Sequence, residues 1–209
     1  MKTDRELHVI QAAYNVFFRY GFARTTMGDL AKEAGLSRPA LYLVYPGKAE
    51  VFQAVVEWMT DSMLDTIAST LKADWSLERK LTHALELSIA KGYDEVKAHP
   101  DAQDLLSLDS QMPGLEHAYV KLQMCLADLL QDSVRASGLK ATADEIARTL
   151  MSAMRGFKLV ATDGKDLRRL IALQVALVSS ALRHGELEAH GHQKLSSGSV
   201  KTRRAAVST

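Results

Sequence analysis

Between Thr25 and Lys48 the chain reads TTMGDLAKEAGLSRPALYLVYPGK, and no other stretch restricts the possible folds as tightly. Thr26-x-x-Asp29 is a capping box with Asp in place of the usual Glu or Gln, so a helix starts at Met27. Gly35 supplies the left-handed residue that ends this helix, and Ser37 caps the next one at once. Small Ala31 lets the second helix cross closely, while Leu30, Ala34, Leu36 and Leu41 form a shared apolar seam. Ala31, Gly35 and Leu41 at this spacing are the skeleton of a helix-turn-helix, a motif whose second helix enters the DNA major groove.

The flanking segments read as helices too. Thr3-x-x-Glu6 opens the first, with Leu7, Ile10, Tyr14, Phe17 and Phe18 on one apolar face and Gly21 as its stop. A helix starting at Lys48 carries Val51, Phe52, Val55, Trp58, Met59 and Met63 inward and joins head to body without a flexible linker. Ser76, a short stretch near Asp101 to Ser110, Pro113 and the Thr142-x-x-Glu145 box begin further helices, Gly164 closes the one opened at Thr142, and the last runs from about Asp166 and ends at Gly185. With no alternating strand pattern, the fold is expected to be all-α: a three-helix helix-turn-helix head on a larger helical-bundle body. The boundaries expected are 1–47 for the head, 48–185 for an effector-binding and dimerisation body, and 186–209 for a disordered basic tail.

Composition narrows the classes. The 209 residues carry a net charge of +1, but residues 1–48 hold seven Lys/Arg against four Asp/Glu, whereas residues 49–184 hold fifteen against nineteen. A basic head on an acidic body suits a head that meets phosphates. The start MKTDRELHVI is too charged for a signal peptide, and the apolar run Leu170 to Leu182 is too short to span a bilayer. A lone cysteine, Cys125, excludes an internal disulfide and fits a reducing cytoplasm.

Gly21-Phe22, Thr25-Thr26-Met27, Asp29-Leu30-Ala31, Ala34-Gly35-Leu36-Ser37, Ala40-Leu41-Tyr42, Tyr45 and Lys48 together resemble the tetracycline-repressor (TetR) family of bacterial regulators. The resemblance is specific over the first fifty residues; beyond them only helical character and length match. It implies a homodimer with an N-terminal DNA-binding head and a body that often binds a small effector. The resemblance thus leads to the expectation of a dimeric, ligand-responsive repressor on a pseudo-palindromic double-stranded operator, cytoplasmic and nucleoid-associated when bound. Expected DNA-contacting residues are Arg24, Thr26, Ser37, Arg38, Pro39, Ala40, Tyr42, Leu43 and Lys48. Thr26 and Ser37 sit at helix N-termini, where hydroxyl, amides and dipole attract phosphate, although capping alone also explains them. Arg38 can bond guanine or hold phosphate, and Pro39 or Ala40 can touch a thymine methyl. Tyr42 and Lys48 are backbone contacts by resemblance. The family often continues past this tyrosine with another aromatic, then His and Phe; here Leu43-Val44-Tyr45 stand instead, so Leu43 offers no hydrogen bond and leaves an apolar contact as its option.

For the body, Trp58, Met59, Met63, Tyr93, Leu108, Met112, His117, Tyr119 and Met124 are candidates to line an apolar effector pocket. Ile146, Leu150, Met154, Phe157 and Val160 on one helix, with Leu170, Ile171, Gln174, Leu177 and Val178 on the next, are candidates for a four-helix dimer interface. Enzymatic activity is not expected: His83-x-x-Glu86 and Glu95-x-x-x-His99 are reversed or misspaced for a di-metal site, and no phosphate loop or nucleophile motif appears. Neither metal nor cofactor is anticipated. The rival reading is a helical ligand-binding or interaction protein whose head no longer reads an operator.

Overall fold

The computed structural model describes residues 3–106, 108, 112 and 114–203, with side chains as far as Arg183. Helix α1 spans Asp4–Arg24, α2 Met27–Glu33, α3 Arg38–Tyr42 and α4 Lys48–Thr70. In the body, α5 spans Leu77–Leu85, α6 Lys91–Ala98, α7 Leu115–Ser137, α8 Ala143–Val160 and α9 Gly164–Arg203. No strand occurs among the described residues, as the pattern of the sequence requires. The chain is an all-α protein with a helix-turn-helix head.

The caps form where the residue types demand them. Thr3, Thr26 and Thr142 each accept from the amide three residues on, while the acid at that position returns to the cap amide. Hydrogen bonding holds the Asp29 carboxyl below its usual range, the Thr26 hydroxyl being the largest cause and the Thr26 amide the next. At the end of α2 the Leu36 amide bonds the Ala31 carbonyl at 2.8 Å and the Gly35 amide bonds that of Lys32 at 3.1 Å. That pair is a Schellman motif, and Gly35 at φ +62° fits its left-handed position.

Two apolar clusters organise the packing. The head cluster joins Ile10, Val16 and Phe17 of α1, Leu30 and Ala31 of α2, and Leu41 of α3 to Val51, Phe52, Val55 and Val56 of α4. The body cluster gathers α5 to α9 and takes in Ile67 from the far end of α4. One 23-residue helix thus belongs to both cores, and the head's packing reaches past residue 47.

Four elements depart from expectation. Residues 77–98 form one helical run interrupted by a π turn at Glu86–Ala90, whose Glu86 carboxylate receives a forked bond from Arg168 of α9 at 2.7 to 3.2 Å. Arg168 also pairs with Asp94 at 2.7 Å, so a single guanidinium ties α9 to both sides of the turn. The segment expected near Asp101 to Ser110 is a 3-10 helix, Pro100–Leu106, with Ser110 outside the described residues. Gly164 starts α9 instead of closing α8, which ends at Val160. Finally, α9 continues in its backbone through Gly185 to Arg203, since no proline follows to stop it. The helical backbone of 186–203 thus replaces the disorder expected there, while the side chains of 184–203 and the whole of 204–209 lie outside the described residues.

Candidate nucleic-acid interface and body cavity

Helix α1 sets the pose of the helix-turn-helix from behind. Its His8 Nε2 lies 3.1 Å from the Ala34 carbonyl, and Arg5 donates to the Ala40 carbonyl at 3.5 Å. Leu41 is fully buried against this support, which turns the opposite side of α3 outward. Ser37, Arg38, Pro39, Tyr42 and Leu43 are exposed on that outer side and Ala40 is half-buried beside them. The Ser37 hydroxyl accepts from the Ala40 amide at 3.3 Å, and Thr26 Oγ donates to Asp29 at 2.6 Å, so both hydroxyls already serve as caps. Leu43 keeps 86% of its surface exposed, the largest value among the exposed apolar side chains. Nothing in the head's own packing accounts for a leucine there.

Two expected phosphate contacts have partners within the chain. The Lys48 ammonium donates to the carbonyls of Phe22 at 2.8 Å and Ala23 at 3.3 Å, and stands 4.4 Å from the Phe22 ring centre. It caps the C-terminal end of α1, where carbonyls lack intrahelical donors, and keeps one N–H spare. Arg24 pairs with Asp101 of the 3-10 segment.

That 3-10 segment clamps the head to the body. The Ala23 amide donates to Asp104 at 2.7 Å, and Tyr14 donates to Glu95 of α6. Burial, then the hydrogen bond to this carboxylate, raises the Tyr14 hydroxyl above its usual range. Gly21 makes the close approach possible: at φ +78° and ψ 172° it occupies a region reserved for glycine. A Cβ there would stand 2.7 Å from the Asp101 carbonyl oxygen and 2.9 Å from Asp104 Cγ.

Beneath the clamp lies a largely apolar cavity of about 300 Å³. Its walls come from α1 and α4 (Phe17, Phe18, Phe52, Val55, Met59, Met63), from the π turn and α6, from Leu105 and Leu106, and from α7 with Lys158 of α8. Met59, Met63, Tyr93 and Tyr119, of the candidates named from the sequence, line this cavity. Trp58 instead packs its edge on Tyr14, with ring centres 6.0 Å apart, and Leu108 and Met112 pack against the head cluster. His117 and Met124 are exposed: they are seven residues apart on one face of α7, while Leu122 and Leu126 hold the inner face. Phe17, Phe18, Phe52 and Lys158 were not anticipated. The first three read simply as head core, and a lysine four residues after Met154 reads as surface.

The dimer set also needs revision. Leu150, Met154 and Ile171 are enclosed by their own chain's core and have no surface to offer a second copy. The reason is helical phase: Ala147, Leu150, Met151 and Met154 all face α7 and α9. Ile146, Phe157, Leu170 and Val178 are partly covered, Gln174 is half-buried and Leu177 is exposed. Leu159 and Val160 on α8 and Leu173 on α9 are 59% to 69% exposed; Val160 belongs to the expected set, whereas Leu159 and Leu173 do not.

Fold and exposed second helix together define a helix-turn-helix protein of the class that reads DNA. Residues 9–55 match the model for bacterial regulatory proteins of the tetR family. An uncharacterized HTH-type transcriptional regulator, YfiR of Bacillus subtilis, is 38% identical over 63 residues, which is 30% of this chain and 31% of the relative. Nucleoid occlusion factor SlmA of Shewanella woodyi is 23% identical over 74% of this chain and 81% of its own length. A TetR transcription regulator from Haloarcula marismortui has the same fold, with TM-score 0.64 at 20% identity, covering 85% of this chain and 97% of that one. Residues 9–55 thus match the DNA-binding head of the tetR family, and the chain has the fold of a TetR transcription regulator. No helix among the described residues is long and apolar enough to cross a membrane.

Proposed function

We propose that the protein is a homodimeric repressor that binds a pseudo-palindromic operator and leaves it when a small molecule enters the body cavity. One observation carries the ligand response: head helices α1 and α4 form part of the cavity wall, so an occupant would touch the elements that pose the recognition helix. Leu105 and Leu106 line the cavity while Asp101 and Asp104, on the same 3-10 segment, grip the end of α1. Filling the cavity would displace that segment and α4 together, changing the separation of two recognition helices that must match half-sites about 34 Å apart or a multiple of it.

The division of labour proposed is residues 1–47 for DNA and 48–185 for effector and dimer contacts, in the cytoplasm and without catalysis. Arg38, Pro39, Ala40 and Leu43 would face bases, while Ser37, Tyr42, Thr26 and the spare donor of Lys48 would meet the backbone. Arg24 would meet phosphate with the guanidinium N–H groups that Asp101 leaves unused. The second copy would pack on the apolar stripe of Leu159, Val160, Leu173 and Leu177, with Phe157, Leu170, Gln174 and Val178 at its margin.

A second reading draws on the alignment with the nucleoid occlusion factor, which extends into the body: a DNA-bound protein whose body docks another macromolecule. The deciding experiment selects genomic fragments with purified protein, then screens compounds for release of the enriched DNA. Release that is lost when Ala118, on the cavity wall, is replaced by Phe supports the effector reading. Retention of DNA against every cavity-sized compound favours the second.

A further inference from the structure

The polar groups on the cavity wall specify what kind of occupant fits, an inference that rests on the effector reading above. Lys158 reaches the wall from α8 and donates to the Tyr119 hydroxyl at 2.7 Å. The Arg155 guanidinium lies over that ring at 3.8 Å from its centre and pairs with Glu116 at 3.2 Å, so Arg155 is neutralised. Lys158 is not: among the described residues no carboxylate lies within ion-pair distance of its ammonium. The ammonium is half-buried at the edge of a largely apolar space, keeps two further N–H donors, and leaves the Tyr119 O–H proton free to donate. The wall's carboxylate, Glu95, already accepts the Tyr14 hydroxyl. Of the other polar groups on the wall, Tyr93 donates to the Ala161 carbonyl at 2.9 Å and Thr60 to that of Val56 at 2.7 Å, while Ser88 and the exposed Lys91 complete the lining.

We infer that the cavity takes an anionic amphiphile, a monocarboxylate whose head group bonds Lys158 and Tyr119 while its chain lies against Phe52, Val55 and Met59. A cation at a low-dielectric wall binds an anion more strongly than it would in water, and a carboxylate matches two adjacent donors. At about 30 Å³ for each water-sized group, the space holds roughly ten non-hydrogen atoms, the size of an eight-carbon fatty acid.

The test is calorimetric titration of the full chain with octanoate, octanol and octylammonium, which share a chain and differ in head charge. Octanoate is expected to bind at least tenfold more tightly than the other two. Lys158→Met should abolish that preference while leaving octanol binding unchanged, and Lys158→Arg should preserve it. Thermal melts of both variants establish that they fold. Equal affinity for octanoate and octanol, or tighter binding of octylammonium, would overturn the assignment while leaving a ligand-binding cavity intact. Absence of binding by all three probes at millimolar concentration would overturn it together with the effector reading.

Discussion

Replacing Gly21 by alanine tests the clamp between head and body with a single methyl group. The backbone there lies at φ +78° and ψ 172°, and holding a residue with a Cβ in such a region costs on the order of 1–3 kcal/mol. The methyl would also stand 2.7 Å from the Asp101 carbonyl oxygen and 2.9 Å from Asp104 Cγ. Relief requires the 3-10 segment to move off, which breaks the exposed bond between the Ala23 amide and Asp104 and costs about 1 kcal/mol more. The sum is about 3 kcal/mol, or roughly 6–12 °C in Tm for a chain of this length. Calorimetric melting of wild type and variant measures it directly. Gly92→Ala is the control: that helical glycine has no atom within 4 Å of its missing Cβ, so the change should be neutral or stabilise by about 0.5–1 kcal/mol. Adding Asp104→Ala removes one of the two obstacles, so Gly21→Ala should cost about 1 kcal/mol less in that background. A Gly21→Ala melt within about 2 °C of wild type would refute the claim that backbone strain and close approach are both present.

Other consequences can be checked alongside. Lys48→Met should lower stability by about 1–2 kcal/mol, because it strips the cap from the Phe22 and Ala23 carbonyls, as chemical denaturation would record. If the spare donor also meets phosphate, the slope of log affinity against log salt should fall by about one for each protomer. Leu43→Ser should leave stability within about 0.5 kcal/mol of wild type, since the side chain packs on nothing, yet weaken operator binding in a gel-shift titration. Tyr14, raised above its usual value, contributes stability that is fully present below the ordinary tyrosine pKa of about 10 and is lost as pH rises through the raised one. Tyr14→Phe should therefore flatten the alkaline limb of a stability-against-pH curve.

Local signals carried the head almost completely. Thr26, Gly35 and Ser37 act within a few residues of themselves, so their caps and turn could be read without tertiary knowledge. Long-range partners were a different matter. Lys48 reads as an exposed base, yet its ammonium meets carbonyls 25 and 26 residues earlier. Gly21 reads as a helix stop; its tighter constraint comes from Asp101 and Asp104, some eighty residues on. The body shows the ambiguity of apolar periodicity: Leu150, Met154 and Val160 all look like interface residues, and only the packed phase of α8 separates core from surface. The cavity was harder still, because its walls borrow Phe17 and Phe52 from the head's own core and its cation from an unremarkable surface position.

Sequence selection of operator DNA bears most directly on the central claim. Purified protein is incubated with random double-stranded fragments at moderate salt, and the bound fraction is sequenced over several rounds. The account predicts an inverted repeat with half-site centres about 34 Å apart or a multiple of it, and relaxed preference at one position in each half when Arg38 is replaced by alanine. Retention of DNA without any enriched sequence, or an unchanged motif for Arg38→Ala, would contradict the assignment of α3 as the reading helix.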